Sequence, residues 1–453
     1  MLSKEENDIL TKVGPGTLMG NLLRRYWTPA LLSSEVAEPG GAPVRVRLFG
    51  EDLVAFRDTE GKVGLVAQNC PHRGASLYFG RNEDCAIRCV YHGWAFDRDG
   101  NCTDMPSEPR PFNDRIKITA YPTHESGGIV WTYMGPKETM TPFRDFGTES
   151  LPSDQVAAFK TYSPCNYVQA MEGNLDSAHI SFLHQFNGIE EIPDDGTDKP
   201  GYNSNAMSMK IWRHDRAPRF ELEEYWYGYR YGALRTTPNG HTHVRINAFV
   251  FPFNTLVASI PFSTRQSMFV PIDDEHCWRY GLATQPRYNP DNLGGPPYAG
   301  LEQWPYANTV RTRTNTGFRS GSAVVQRQWT AENEYQIDRS VQADRSSRGT
   351  FSGVAEFNSQ DLMVTESMGP IYDRTKEHLG TTDVAIIRMR SMLINAAKDL
   401  AAGKQPPAVD AEHDYRSIRV GEKILEPGED WRVIGSDEDP IVKESLAPQA
   451  ANA

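Results

Sequence analysis

The spacing of apolar and polar positions divides this chain into stretches with the period of a helix and stretches with the period of a strand. Near the N-terminus, Ser3-Lys4-Glu5-Glu6 reads as a capping box, with Ser3 able to cap a helix running to about Val13. Gly14-Pro15-Gly16 breaks that helix, and a second is expected over residues 18–27. From Val44 to Tyr133 the runs shorten and alternate, as in Val44-Arg45-Val46-Arg47-Leu48 and Leu53-Val54-Ala55-Phe56. Turns such as Gly50-Glu51-Asp52 and Asp99-Gly100-Asn101 separate them. The pattern predicts a small antiparallel β domain with two loops, around Cys70 and Cys89. Residues 134–154, rich in Pro, Thr and acids, read as a linker. Beyond it, 165–185 is helix-compatible, 190–205 reads as an acidic loop, and 219–253 reads as two or three long strands. Residues 381–402 have helical spacing (Val384, Ile387, Met389, Met392, Leu393, Ala396) and a stop at Gly403. The expected class is α+β. N-terminal helices (1–33) pack on the larger domain, followed by the small β domain (34–140), the larger domain (141–440) and a disordered tail (441–453).

Length and composition narrow the function classes. A chain of 453 residues has room for two or three domains, and 39% hydrophobic with 23% charged content fits a soluble globular protein. No run approaches the roughly 20 apolar residues of a membrane span. The first residues carry acidic charge and no apolar stretch, unlike a secretion signal, so a cytoplasmic location is expected. A net charge of −12 without a basic stripe argues against nucleic acid. It also means that an anionic ligand needs local basic residues. In such a compartment six cysteines point to metal binding or burial rather than disulfides. Cys85, Cys102, Cys165 and Cys277 lack partner spacing and are expected to be buried.

Cys70 and Cys89 are different. Cys70-Pro71-His72-Arg73-Gly74 and Cys89-Val90-Tyr91-His92 each offer one thiolate and one imidazole from a tight loop. Two facing loops of this kind can hold a 2Fe–2S cluster, with both thiolates on one iron and both imidazoles on the other. Pro71, Gly74 and Gly93 let the backbone come close to the sulfides. A Cys2His2 zinc site is the alternative, but zinc sites favour C-x2-4-C or H-x3-5-H pairs over C-x-H with C-x2-H. Sixteen residues separate His72 from Cys89, and the whole pattern resembles the Rieske family. Trp94 resembles the aromatic residue that often follows this loop in its oxygenase branch.

A second constellation lies in Glu172-Gly173-Asn174-Leu175-Asp176-Ser177-Ala178-His179-Ile180-Ser181-Phe182-Leu183-His184. An iron(II) site that activates O2 needs two neutral nitrogens and one carboxylate on one face. His179 and His184 can supply the nitrogens, but an i,i+5 step rotates about 140° net on an α-helix. A π-type widening or a helix end between them is therefore predicted. Asp176, three residues before His179, is placed to accept the second N–H of its imidazole.

Glu-x3-Asp-x2-His-x4-His resembles the iron-binding signature of ring-hydroxylating oxygenases. The resemblance implies one 2Fe–2S Rieske cluster and one mononuclear non-haem Fe(II) per chain, with His179 and His184 as ligands. Asp176 would link the iron to the cluster of a neighbouring subunit in a head-to-tail trimer. Asp361 resembles the family's late acidic ligand; Glu366 and Asp373 are its rivals and read as charges on a solvated helix face. Val13-Gly14-Pro15-Gly16-Thr17, Arg24-Arg25-Tyr26-Trp27 and Met368-Gly369-Pro370-Ile371 look like the phthalate dioxygenase branch. That likeness implies a helix-grip catalytic domain, trimers or stacked trimers, and a separate NAD(P)H-dependent flavin and iron–sulfur reductase. The chain itself has no GxGxxG fingerprint after a strand. The expected reaction is cis-dihydroxylation of an aromatic carboxylate such as a phthalate, using O2. Oxidative O-demethylation of a methoxylated acid by the same iron is the alternative, and an electron carrier without catalytic iron the alternative of another class. An aromatic acid calls for arginines in the pocket, from Arg216, Arg230, Arg235 and Arg245. Arg245 and Arg216 are favoured, with Ser177 beside the first ligand. Arg245 faces the cavity if Val244 and Ile246 pack into the core.

Overall fold

The computed structural model describes residues 1–147, 149, 156–185, 200–202, 205–258, 265–284, 323–324, 327, 329–345, 349–355, 357–410, 412–440 and 442–443. Alternation in the first third produces two small antiparallel sheets. One orders the strands Val44–Leu48, Glu51–Arg57, Val63–Ala67 and Ala120–Tyr121; the other orders Arg81–Glu83, Ala86–Arg88, Ala95–Asp97 and Cys102–Asp104. Phe49 and Gly50 turn the first hairpin with φ of 49° and 77°, the left-handed pair that a two-residue turn between twisted strands needs. Val54, Phe56 and Val66 from one sheet pack with Ile87 and Phe96 from the other, and this core encloses Cys70 and Cys89. A third sheet, Thr28–Leu32 with Ile129–Thr132 and Thr123–Ser126, buries its face in the main core instead.

The rest of the chain is organised by a ten-stranded sheet, antiparallel except for the short pair between Val156–Ser163 and Ala323–Val324. Residues 219–253 hold three of its strands, Arg219–Tyr225, Gly228–Thr236 and Thr242–Val250. Helices Tyr167–Leu175 and Val384–Ala401 pack on this sheet, and the second also carries Lys4–Thr11 and Leu18–Leu23. This is the α+β arrangement expected. Glu172, on the first of these helices, is buried between Arg374 (3.1 and 3.0 Å) and Arg390 of the long helix (2.6 Å). Burial alone would raise its carboxyl, but the two guanidinium groups hold it below the ordinary value. Removing both would strand a buried charge at a cost of roughly 3–5 kcal/mol, so the helix leading to His179 is pinned by the pair.

Several helices are shorter than their periodicity suggests. The capping box forms, with Glu6 N–H to Ser3 Oγ at 3.1 Å and Ser3 N–H to Glu6 Oε2 at 2.9 Å. The first helix nevertheless ends at Thr11, because Val13 N–H goes to Asp274 Oδ1 at 2.8 Å instead of continuing the ladder. The second stops at Leu23, since Thr28 already pairs with Thr132 in a sheet. Of 165–185, only Tyr167–Leu175 is α-helical. Asp176 is extended and its carboxylate accepts from the N–H of Ala178 at 2.6 Å, a side-chain turn that competes with the helix. No π-widening is needed: a 3-10 turn, His179–Ser181, ends between the two histidines. Val384–Ala401 runs as expected, closed by Gly403 at φ 87°. Cys102, Cys165 and Cys277 are buried, whereas Cys85 is half-exposed in a turn beside Thr59. Most of the acidic loop at 190–205 and most of the tail lie outside the described residues.

Candidate functional site

The two cysteine loops are built alike. Cys70 N–H donates to the Ala75 carbonyl at 2.9 Å, and the Cys70 carbonyl accepts from Gly74 N–H at 2.9 Å. In the second loop Cys89 N–H donates to Trp94 at 2.8 Å and its carbonyl accepts from Gly93 at 2.9 Å. Each turn needs positive φ four places after the cysteine, met by Gly74 (77°) and Gly93 (80°). At Gly93 a Cβ would also meet Pro106 Cγ at 2.7 Å. The cysteine side chains are buried, while His72 and His92 are half-buried with ring centroids 4.3 Å apart. Trp94 stacks flat on His72 at 4.6 Å. Burial, with the Cys89 thiol close by, pushes the Cys70 thiol up to about 11. Two buried, adjacent thiols become thiolates only if cationic charge joins them.

Past Asp176, three side chains converge. His179 Nε2 and His184 Nε2 lie 3.2 Å apart, and Asp361 Oδ1 lies 3.5 Å from the first and 3.1 Å from the second. Ligands on adjacent corners of one first-row metal have this spacing, given bonds of about 2.1 Å. Burial alone would raise the Asp361 carboxyl; the His184 and His179 imidazoles and Arg279 hold it below its ordinary value. The donor set is thus two imidazoles and one carboxylate on one side of a point, the pattern of O2-activating ferrous sites. Asp176 Oδ2 stands 3.5 Å from His179 Nδ1, and Gln360 Oε1 stands 2.7 Å from His184 Nδ1. Among the described residues this is the one group of three or more His, Cys, Asp or Glu ligands gathered within 4.8 Å. No three of the Cys70, His72, Cys89 and His92 donor atoms lie within 4.8 Å of one another, so they are not gathered round a single ion.

Residues 26–122 match the family model for the Rieske [2Fe-2S] domain, and residues 132–451 match the LigXa C-terminal domain like model. The chain is 37% identical to the phthalate 4,5-dioxygenase oxygenase subunit of Pseudomonas putida, covering 95% of this chain and 94% of that one. The chain belongs to the Rieske oxygenases. It is also 35% identical to the 3-chlorobenzoate-3,4-dioxygenase oxygenase subunit of Comamonas testosteroni, over 95% of this chain and 97% of that one. Its fold resembles that of dicamba monooxygenase solved with dicamba, with a TM-score of 0.54 at 17% identity over 85% of this chain and all of that one. As a member of the family this Rieske oxygenase carries a 2Fe–2S cluster and a mononuclear iron, and the two donor sets just described fit both groups. No helix among the described residues is long and apolar enough to cross a membrane.

Behind the triad of this oxygenase lies a buried polar layer. Val244 and Ile246 pack in the core, so alternation turns His243, Arg245 and Asn247 to the opposite face. Arg235, paired with His243 across the strands, joins them. Arg245 Nη1 reaches Ser177 Oγ at 3.4 Å and Arg235 Nη2 reaches the Ser177 carbonyl at 2.6 Å. Burial, with the charge of Arg245 nearby, lowers Arg235 to about 10. Glu422, 3.6 Å from Arg245 Nε and 2.8 Å from His243 Nε2, is the carboxylate of this layer. Arg235 Nη1 and Arg245 Nε find no hydrogen-bond partner among the described residues. Arg216 is not brought in: it is exposed, over the ring of Phe182 at 5.5 Å. Arg230 is buried elsewhere, donating to the carbonyls of Ile434 and Arg432 at 3.0 and 2.6 Å. Asp373 pairs with Lys376 at the surface. Glu366 is not the solvated charge its neighbourhood in sequence suggests: it is buried against Arg327 (2.9 Å) and Tyr335 (2.7 Å).

The helix Phe357–Ser367 carries Asp361 up to the histidines because Gly173 lets it come close. A Cβ at Gly173 would sit 2.8 Å from Thr365 Cγ2, and Thr365 is already held by Arg279 at 2.7 Å. Gly173→Ala is expected to destabilise the protein by about 1–3 kcal/mol and to lower its iron content, through displacement of Asp361. Denaturant titration with an iron assay checks this; a variant with parental stability and full iron would refute it.

Proposed function

We propose that this Rieske oxygenase subunit inserts both atoms of O2 into the ring of an aromatic carboxylate of the phthalate or benzoate type, giving a cis-dihydrodiol. The observation that carries the substrate class is the buried pair Arg235 and Arg245 beside Ser177, two places before His179, with Arg235 Nη1 left without a hydrogen-bond partner among the described residues. In a chain of net charge −12, two buried cations facing one carboxylate are a local reversal of sign suited to an anionic substrate.

In this reading Cys70, His72, Cys89 and His92 hold the cluster, and His179, His184 and Asp361 hold the iron. When bound, the cluster supplies single electrons and the ferrous ion supplies O2 activation. The protein's own part is positional. Arg245, with Arg235 and Ser177, anchors the carboxylate so that the ring lies over the triad; Asp176 accepts the Nδ1–H of His179 and fixes its lone pair toward Asp361. The chain has no nucleotide fingerprint, so electrons arrive from a separate reductase. Exposed Val90 and Tyr91 flank His92, and exposed Phe182, Phe351 and Phe357 flank the triad. Two such apolar surfaces, one per site, support head-to-tail pairing of subunits in a trimer, with Asp176 between them.

The test is a substrate screen with the purified oxygenase, a surrogate reductase and NADH. Phthalates, benzoates and methoxybenzoates are offered under O2, and products are read by mass alongside a formaldehyde assay. Gain of two oxygens and two hydrogens supports dihydroxylation; loss of CH2 with formaldehyde would replace it by demethylation. No turnover of any aromatic acid by fully iron-loaded protein would remove the substrate class. With the accepted acid, Arg245→Met is expected to weaken apparent binding at least about tenfold, equivalent to the roughly 1.5–3 kcal/mol of a charged hydrogen bond. An unchanged apparent affinity would take Arg245 out of the pocket.

A further inference from the structure

The two histidines of the triad are held from behind by chemically different groups. His179 Nδ1 faces the carboxylate of Asp176 at 3.5 Å, whereas His184 Nδ1 faces the amide of Gln360 at 2.7 Å. A glutamine can donate or accept, so its orientation decides what it asks of the imidazole. Here that orientation is forced: Gln360 Nε2 lies 2.7 Å from the Val354 carbonyl, which can only accept. The amide NH2 must therefore point at Val354, and Oε1, an acceptor, must point at His184. His184 Nδ1 then has to carry its hydrogen, and Nε2 has to present its lone pair toward Asp361 and His179. All three residues of this relay are buried, so water does not compete for the bonds.

The same helix turn addresses His184 in three ways. Phe357 stacks on the imidazole at 3.8 Å with planes 16° apart, Gln360 takes its Nδ1–H, and Asp361 meets its Nε2 at 3.1 Å. The ring is thereby fixed in position, rotation and tautomer by one element. A neutral amide also suits the charge: Asp176 and Asp361 already match a divalent ion, and a third carboxylate would leave the site negative.

We propose that Gln360 is a positioning residue for the mononuclear site, selecting the His184 tautomer that leaves Nε2 free to bind metal. This rests on the reading of His179, His184 and Asp361 as the metal ligands. The test is metal binding by the full-length protein, with the cluster in place and the mononuclear site emptied by chelation. Co(II) is titrated in by calorimetry, and its EPR spectrum is recorded with the cluster oxidised and diamagnetic. Gln360→Met keeps the length but accepts no comparable hydrogen bond from Nδ1–H; Gln360→Glu keeps an acceptor. Losing an outer-shell partner weakens metal binding by about 10–100-fold, and that loss with an altered Co(II) spectrum is expected in Q360M. Q360E is expected to bind more tightly than Q360M, and because both variants leave the buried Val354 carbonyl without its donor, both metal-free proteins should melt below the parent. Parental affinity in Q360M, or a Q360E as weak as Q360M, would overturn the assignment. Because both variants share the loss at Val354, the difference between them decides: Q360E binding more tightly than Q360M supports the role, and equal affinities overturn it. A parent that takes up no Co(II) would instead sink the triad reading, and this inference with it.

Discussion

Replacing Asp361 by Ala should leave a red protein with an intact cluster, two irons per chain instead of three, and no oxygenation of any substrate. The reasoning is electrostatic as well as geometric. His179 and His184 are neutral donors, and Asp361 supplies the one negative charge that meets both Nε2 atoms, at 3.5 and 3.1 Å. Without it a hydrated ferrous ion has little to gain by entering a half-buried site. The loss of metal affinity should exceed the roughly 10–100-fold that removing a mere partner of a ligand costs. Iron analysis, the visible spectrum of the cluster and product assays together check the prediction. A D361A protein that retained its third iron would shift the ligand role to another carboxylate; Glu366 is unsuited, being tied to Arg327 and Tyr335.

What could be read from the sequence, and what could not, follows from how local each interaction is. The cysteine loops depend on five or six consecutive residues whose bonds close within the loop, so their spacing was informative by itself. The His179–His184 step was legible as awkward for a helix, but periodicity missed the helix end at Leu175. Asp176 turns its side chain onto the backbone of Ala178, and hydrophobic spacing carries no trace of that competition. Alternation placed Arg245 because strand parity is local: Val244 and Ile246 went to the core and Arg245 went the other way. Arg216 follows a helix that ends at His214, where no such parity applies, and it sits outside. Arg235 joins Arg245 only through the register that pairs it with His243, and Glu366 is buried only because Arg327 and Tyr335 return to it. Gln360 gave no signal at all beyond standing next to Asp361, since its role lies in two hydrogen bonds to distant chain segments.

Asp176→Asn should separate the two halves of the machinery without dismantling either. The asparagine keeps an oxygen for the Ala178 N–H, bonded now at 2.6 Å, so the turn that ends the helix survives. What changes is the group facing His179 Nδ1: a carboxylate at 3.5 Å becomes either a neutral oxygen or an NH2 that meets the imidazole N–H donor to donor. The carboxylate is partly buried; burial alone would raise it, and its bonds with His179 and the Ala178 N–H keep it below its ordinary value. It therefore stays ionised and stabilises positive charge developing on the imidazole. If Asp176 also bridges to the cluster of the next subunit, the asparagine loses that link as well. Cluster content and mononuclear iron are expected to stay near parental levels while turnover falls by about a hundredfold, the upper end for an outer-shell partner. Single-turnover mixing of the reduced protein with O2 and substrate locates the defect: slow reoxidation of the cluster places it in electron transfer. Parental reoxidation with low product yield would place it in positioning His179, and parental turnover would show that the Asp176 charge contributes nothing to either.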